Sequence, residues 1–336
     1  MYRILVIRGG AIGDFILTLP ALKTLREVYP YAHIEILGYK HIVALAENRF
    51  YAQAVRSIEY GPFSRFFANS SELPAELGEY FASFDLIISY LYDPDRVLEN
   101  NLRRCGVENL VCGPARIVEK SGHAAKQQAR PIEELGIRVA DLAGKIFPSK
   151  EDYQFARKFL RNLSQPIIAI HPGSGSKKKN WPLENWIELF SSSGHSSHTD
   201  YEPGHQWKHS SLLVVSGEAD GAQIAQLEFT WKGRDVLFAK NLRLPHLAAV
   251  LEHTIFVGHD SGISHLAAAA GANCVLLFGP TNPNVWAPMN ENVQVVAAPG
   301  GKLDELELSP VQAALNTALR GELQTGIATA AKLGIS

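Results

Sequence analysis

Short apolar runs alternate with segments of helical periodicity along most of the chain, and this alternation constrains the fold more than any other feature. In residues 12–28, apolar side chains return every three or four positions, as on one face of a helix. The short runs are apolar throughout, which is typical of parallel strands covered on both faces. In the first half of the chain the runs occupy residues 4–7, 34–37, 86–88 and 110–112, with a weaker one near 55–58. The alternation therefore predicts an α/β protein with parallel sheets.

The same alternation begins again after residues 163–166. Its apolar runs occupy residues 167–170, 212–215, 236–238, 255–257, 275–278 and 293–296. Two successive series predict a first lobe over residues 1–163 and a second over 164–308, each a Rossmann-like, doubly wound parallel sheet, with a cleft between them. A helical segment opens residues 309–336. Ligands of such sheets bind at the carboxyl ends of the strands, so the loops that follow the strands are the candidate sites.

Composition excludes several classes of protein. Lys and Arg number 32 and Asp and Glu 34, a formal net charge of −2, so the chain lacks the basic excess of a nucleic-acid-binding protein. No apolar run reaches the roughly 18 residues of a transmembrane helix, and the first residues are predicted to form a strand rather than a signal peptide. The three cysteines lack metal-binding spacing, which suits a reducing compartment. We therefore expect a cytoplasmic protein.

The first candidate loop, residues 8–14, joins the first strand to the first helix. It resembles a dinucleotide-binding fingerprint, but Arg8 stands where the first glycine belongs, and no acidic residue ends the second strand. These departures disfavour a nicotinamide site. Asp14 falls in the first turn of the helix, where a carboxylate either faces the cleft for a functional reason or stabilises the helix N-terminus by about 0.3–1 kcal/mol. The local sequence favours neither interpretation.

The second candidate loop, residues 171–182, follows the first strand of the second lobe. It is not a Walker A loop, because no Gly-Lys-Ser/Thr follows at the required spacing. Its small residues and the lysines at 177–179 suit a diphosphate. A solvated basic loop would explain the lysines but not Trp181-Pro182 directly after them, so we favour diphosphate binding.

The third candidate loop joins a strand that ends near residue 259 to an Ala-rich helix. Ser261 is suited to cap this helix, and the N–H groups of residues 262–264 would then point at a phosphate. Asp260 would lie beside this anion site, where a second negative charge is unfavourable. We therefore expect its carboxylate to orient backbone donors or to bind sugar hydroxyls. A lone histidine on a helix, such as His265, is more often structural than a ligand. Residues 279–283 end the next strand at the same edge of the sheet.

A Ser- and His-rich segment, residues 191–211, interrupts the second lobe. Its candidates for a metal site are His195, His198, His205, His209, Asp200 and Glu202. No structural zinc spacing is met, so we favour a solvated surface insertion without a metal.

Four stretches, in this order, resemble signatures of glycosyltransferase family 9, the bacterial heptosyltransferases of lipopolysaccharide core synthesis. They are RILVIRGGAIGDFILTLPAL, HPGSGSKKKNWP, LLVVSGEAD and FVGHDSGISHLAAAAGANCVLLFGPTNP. About residues 40–160 and the Ser- and His-rich segment fall outside them. The resemblance implies a GT-B fold, with the acceptor on the first lobe, the nucleotide sugar on the second, and the last helical segment packed back toward the first lobe.

The resemblance also implies roles for individual residues. Asp14 is expected to be the general base, Lys179 to bind the diphosphate and assist catalysis, and Glu218 to hold the ribose. The other expected contacts of the nucleotide sugar are Gly13, Ser174, Asp260, Ser261, Gly262, Ile263, His265 and Thr281. His259 stands where the family usually has a smaller or amide residue, and we expect it to narrow the donor pocket.

The implied activity is inverting, metal-independent transfer of a heptose from ADP-heptose to a lipopolysaccharide inner-core acceptor. No cofactor is expected beyond this nucleotide-sugar donor. Because the lipid A–core acceptor is borne by the inner membrane, the protein would contact the cytoplasmic face of that membrane peripherally. Arg65, Arg96, Arg103 and Arg104 are candidates to meet an anionic acceptor, although a solvated surface explains each of them equally well.

Three alternatives stay open. The first is a transferase of the same family for another nucleotide sugar or acceptor. The second is an NAD-dependent oxidoreductase or epimerase, which the broken fingerprint at Arg8 disfavours. The third is a non-catalytic sugar-nucleotide binder, which the presence of both Asp14 and Lys179 disfavours. The sequence leaves open the sugar, the nucleotide, the acceptor and the oligomeric state.

Overall fold

The structure, a computed structural model, describes residues 1–69, 72–191, 207, 210–217, 220–322 and the backbone of 326–329. The chain divides into two compact units, Met1–Ala143 and Gly144–Ser336. Each unit is built on a parallel sheet, as predicted. Within the part of the chain that is described, no helix combines the length and the apolar character needed to cross a bilayer.

The first unit has a five-stranded sheet in the order β3-β2-β1-β4-β5. The strands are β1 Arg3–Arg8, β2 His33–Gly38, β3 Ala54–Ser57, β4 Leu86–Ser89 and β5 Leu110–Cys112. The helices are α1 Ile12–Val28, α2 Lys40–Val43, α3 Ala75–Ala82, α4 Val97–Arg104 and α5 Ala124–Glu134. The central strands β1 and β4 are buried along most of their length, which explains why their sequences are apolar throughout.

The second unit has a seven-stranded sheet in the order β12-β11-β10-β9-β6-β7-β8. The strands are β6 Ile167–His171, β7 Ser211–Ser216, β8 Val236–Lys240, β9 Ile255–His259, β10 Asn273–Phe278, β11 Val293–Ala297 and β12 Gly326–Thr329. The helices are α6 Lys150–Phe159, α7 Leu183–Phe190, α8 Gly221–Thr230, α9 Leu244–Leu251, α10 Gly262–Ala270, α11 Pro283–Trp286 and α12 Leu308–Leu319. In both sheets the order is that of a doubly wound Rossmann sheet, so each has a switch point beside its first strand.

The division between the units falls at residue 143, earlier than the join expected near residue 163. The reason is that the chain already pairs with the second unit before α6. Ile146 N–H donates to the Ala269 carbonyl at 2.8 Å, and the Phe155 ring of α6 stacks on the His246 ring of α9 with centroids 4.1 Å apart. These contacts join α6 to the second unit.

The helical segment expected from residue 309 is α12, and its buried face belongs to the apolar core of the second unit. Val311, Leu315 and Ala318 pack in the same cluster as strands β6 and β10. The strand β12 pairs with β11 in parallel and has no counterpart among the predicted apolar runs. The expected packing of the last segment toward the first lobe stays a prediction.

Candidate active site

The loop between β1 and α1 folds a carboxylate back onto a glycine turn. Gly10 has φ +91°, and a Cβ there would lie 2.7 Å from Asp14 Oδ2. That oxygen accepts the Ala11 N–H at 2.9 Å. Glycine is therefore required at residue 10 by both backbone conformation and space. The bond to Ala11 shows that Asp14 does satisfy the helix N-terminus, which was one of the two interpretations of this residue.

A buried guanidinium lies behind this carboxylate. The Arg8 side chain is 2 % exposed, and its Nη2 lies 3.6 Å from Asp14 Oδ1. Its Nε donates to Thr18 Oγ1 at 3.0 Å, and Nη2 donates to the Asp14 carbonyl at 3.1 Å. Burial lowers the pKa of Arg8, while the charge of Asp14 opposes that shift. Asp14 itself is 35 % exposed, so a fixed positive charge supports a carboxylate that solvent and ligands can reach.

In the second unit, three predicted residues from three different loops meet at one oxygen atom. Lys179 Nζ and Thr281 Oγ1 each donate to Asp260 Oδ2 at 2.7 Å. These residues follow β6, β10 and β9, whose carboxyl ends lie at one edge of the sheet. The Asp260 side chain is 9 % exposed and that of Lys179 is 31 % exposed. Asp260 is therefore the counterion of Lys179, which explains why a carboxylate lies in this lysine-bearing loop region.

Ser261 caps α10 as predicted. Its Oγ accepts the Ser264 N–H at 3.3 Å, and the helix begins at Gly262, with two residues between it and the end of β9. The helix N-terminus, including Ile263, thus lies at the carboxyl edge of the sheet, where it favours negative charge. His265 is buried in this helix, in agreement with a structural role for a lone helical histidine.

Ser174, another predicted residue, makes its hydrogen bonds within its own loop. Ser174 Oγ lies 2.8 Å from the Ser176 carbonyl and 2.6 Å from Asn180 Oδ1, so its hydroxyl binds its own loop. Gly13 lies in the first turn of α1, in the first unit. Glu218 lies outside the described residues, as does most of the Ser- and His-rich segment, so the metal hypothesis for that segment stays untested.

His259 does not narrow a donor pocket, which corrects our expectation. Its side chain is 0 % exposed, and its Nε2 accepts the Trp181 N–H at 2.8 Å. The ring also meets the Trp186 ring edge to face, with centroids 5.4 Å apart. The side chain points into the core under the second candidate loop, so a larger residue here supports that loop rather than occupying space for a ligand.

Sequence reasoning missed a buried polar pair beside this loop. His171 Nε2 lies 3.1 Å from Asp220 Oδ2, and the same oxygen accepts the Gly217 N–H at 2.9 Å. Burial raises the pKa of the Asp220 carboxyl, but the hydrogen bonds from His171 and Gly217 outweigh it and lower the pKa overall. A Cβ on Gly173 would lie 1.9 Å from Asp220 Oδ1, so glycine is needed for this close approach. An aspartate three residues after Gly217 was the available signal, since short polar side chains close such turns.

Comparison with known proteins places the chain in a family. The model of glycosyltransferase family 9 (heptosyltransferase) matches residues 114–309, more than half of the chain. The chain belongs to glycosyltransferase family 9. It is therefore a glycosyltransferase, of a family whose members invert the configuration of the transferred sugar.

Two curated relatives and one solved structure illustrate the similarity. Lipopolysaccharide heptosyltransferase 1 of Escherichia coli O18:K1:H7 is 29% identical over 56% of this chain and 56% of its own length. Lipopolysaccharide heptosyltransferase 1 of Salmonella typhimurium is 24% identical over 92% of this chain and 98% of its own length. The structure of ADP-heptose lipopolysaccharide heptosyltransferase II of Escherichia coli has a TM-score of 0.73 at 17% identity, over 95% of this chain and 99% of that chain. This likeness shows the GT-B fold that the resemblance implied.

Proposed function

We propose that the protein transfers a heptose from ADP-heptose to a lipopolysaccharide inner-core acceptor. The observation that carries the donor half of this proposal is the meeting of Lys179, Asp260 and Thr281 at the carboxyl edge of the second sheet. The sugar and the nucleotide follow from similarity, since the relatives are heptosyltransferases and one structural neighbour is named for ADP-heptose.

Lys179 is suited to stabilise the leaving diphosphate. An ammonium group has three donors, and the bond to Asp260 uses one of them. The diphosphate can therefore bind Lys179 while Asp260 keeps the side chain in place. The α10 N-terminus at Gly262 adds partial positive charge at the same edge. In this proposal these two groups balance the charge of the leaving group, and no metal or further cofactor is required.

Asp14 is suited to remove the proton of the acceptor hydroxyl. Its Oδ2 carries the bond to Ala11, whereas its Oδ1 lies 3.6 Å from Arg8 Nη2, beyond ordinary hydrogen-bond distance. The carboxylate is thus oriented by the protein and accessible for proton transfer. A positioned general base contributes about 10²–10⁴-fold to the rate. A single base acting opposite the leaving group agrees with inversion at the sugar carbon.

The acceptor assignment rests on the family rather than on the arginines considered above. Arg96 binds the Glu99 carboxylate through two bonds of 2.8 Å, and Arg104 donates to Asn101 Oδ1 at 2.7 Å. These side chains already have local partners. The proposed acceptor is a lipid A–core molecule reached from the cytoplasmic face of the inner membrane. This part of the proposal is best tested with the acceptor itself.

The donor is tested by a thermal-shift panel of ADP-, UDP-, GDP- and CDP-linked sugars. We expect ADP-heptose to raise the melting temperature most, because at equal concentration the ligand that binds the folded state most tightly stabilises it most. A larger shift with a sugar on another nucleotide would overturn the donor assignment and leave the transferase assignment in place.

A further inference from the structure

The second candidate loop ends in a buried anchor two residues after its functional lysine. Trp181 donates its backbone N–H to His259 Nε2 and its indole Nε1–H to the Leu306 carbonyl, each at 2.8 Å. Its ring is buried against Trp186. By contrast, the short 3-10 turn Lys177–Lys179 before it contains no buried residue. The anchor therefore determines where the exposed part of the loop lies.

His259 and Asp260 hold this loop from consecutive positions. Successive side chains at the end of a strand point in opposite directions. His259 points into the core and accepts the Trp181 N–H, while Asp260 points toward the loop and accepts the Lys179 ammonium. The backbone of the loop and the side chain of its lysine are thus fixed by two neighbouring residues at the end of β9.

The imidazole is kept in the form that accepts a hydrogen bond. Burial lowers the pKa of His259 to about 3, and His171 contributes to the same shift. The carbonyl of Gly173 and the carboxylates of Asp220 and Asp260 act in the opposite direction without reversing it. At neutral pH the ring is uncharged, and the bond from Trp181 assigns its proton to Nδ1. His259 is therefore a permanent acceptor under physiological conditions.

We propose that His259 is a positioning residue of the transfer reaction: its Nε2 fixes the Trp181 backbone and thereby the Lys179 ammonium for the donor diphosphate. This inference rests on the proposed role of Lys179 in diphosphate binding. Because His259 acts through the loop that bears Lys179, its loss should weaken binding of the phosphates and leave binding of the nucleoside unchanged.

The test uses two substitutions of His259 and one matched control. His259→Leu removes the acceptor, whereas His259→Gln places an amide where Nε2 lies and restores one. Trp186→Phe alters packing on the same ring but leaves the bond between His259 and Trp181 intact. Amide hydrogen exchange at Trp181 and calorimetric affinities for ADP and adenosine are measured for each variant and for the wild type.

We expect His259→Leu to speed exchange of the Trp181 amide and to weaken ADP binding, each by about tenfold, with adenosine affinity unchanged. His259→Gln and Trp186→Phe should stay near the wild type in both readouts. Unchanged exchange in His259→Leu would overturn the inference, as would faster exchange with unchanged ADP affinity.

Lys179→Ala in the same series separates this inference from the proposed function. If Lys179→Ala weakens ADP binding and His259→Leu does not, the inference fails and the proposed function stands. If Lys179→Ala leaves ADP affinity unchanged, the proposed diphosphate site fails, whatever the exchange rate at Trp181 shows.

Discussion

The two units present oppositely charged functional groups in closely similar ways. Asp14 in the first unit and Lys179 in the second are each about one-third exposed, and each has a nearly buried partner of opposite charge, Arg8 and Asp260 respectively. The distances differ: Arg8 stands 3.6 Å from the carboxylate, whereas Asp260 touches the ammonium at 2.7 Å. The difference suits the roles proposed for the two residues. A general base must take up a proton, so it is not tied fully to its counterion, whereas a lysine that binds phosphate is held in place by one bond and keeps its remaining donors for the ligand.

The largest expected effect is on the base. Asp14→Asn keeps the size of the side chain but removes its proton affinity, so transfer should fall by about 10²–10⁴-fold. ADP affinity, measured by calorimetry, should stay unchanged, because the proposed donor site lies in the second unit. Turnover near the wild-type rate would show that Asp14 only caps α1.

Lys179→Ala should have the next largest effect, and it should act on ADP binding, which Asp14→Asn leaves unchanged. Loss of a charged hydrogen-bond donor should weaken ADP binding by about tenfold to a hundredfold, with little change in adenosine affinity. Lys178→Ala, which alters a neighbouring exposed lysine in the same turn, is the matched control. Equal weakening of ADP and adenosine would contradict a phosphate-specific role.

Acid should destabilise the second unit through His259, a buried neutral imidazole, whereas the buried group of the first unit is the guanidinium of Arg8, which stays charged. The pKa of His259 is lowered from its ordinary 6.5 to about 3, so as the pH falls this side chain is protonated in the unfolded chain before it is protonated in the folded one. The stability that the neutral His259 contributes is complete above pH 6.5 and is lost toward pH 3, by at most about 1.4 kcal/mol per pH unit. Urea unfolding across this range should show a shallower pH dependence for His259→Gln than for the wild type. If the free energy of unfolding falls equally steeply with pH in both proteins, His259 is not the buried neutral group that causes the loss of stability.

The smallest predicted effect concerns the second donor to Asp260. Thr281→Val removes the hydroxyl at nearly constant size and should lower the free energy of unfolding by about 0.5–1.5 kcal/mol. Thr281→Ser retains the hydroxyl and should lose less. If the two variants unfold alike in urea, the bond to Asp260 does not stabilise the second unit.

Much of this arrangement was predictable because it depends on local sequence. Apolar runs predicted β1 to β11, and, as predicted, Asp14 lies in the first helical turn after a strand, while Lys179 and Ser261 lie between a strand and the next helix. The orientation of His259 was not predictable, since it depends on a loop from elsewhere in the chain closing over the end of β9. The same is true of Asp220, whose partner His171 lies 49 residues away in sequence.

The boundary between the units was displaced for a related reason. Helix α6 has the same amphipathic pattern whichever sheet it covers, and only its packing on α9 assigns it to the second unit. Strand β12 is short and follows the last helix, so its sequence resembles a tail until its pairing with β11 is seen.

The most direct test of the central claim is mass analysis of the acceptor after incubation with ADP-heptose. The account predicts that a lipid A–core acceptor gains the mass of one heptose with the wild-type protein, with inverted configuration at the sugar carbon, and gains essentially none with Asp14→Asn. Failure of the wild type to transfer heptose, combined with transfer of a different sugar from another nucleotide, would contradict it.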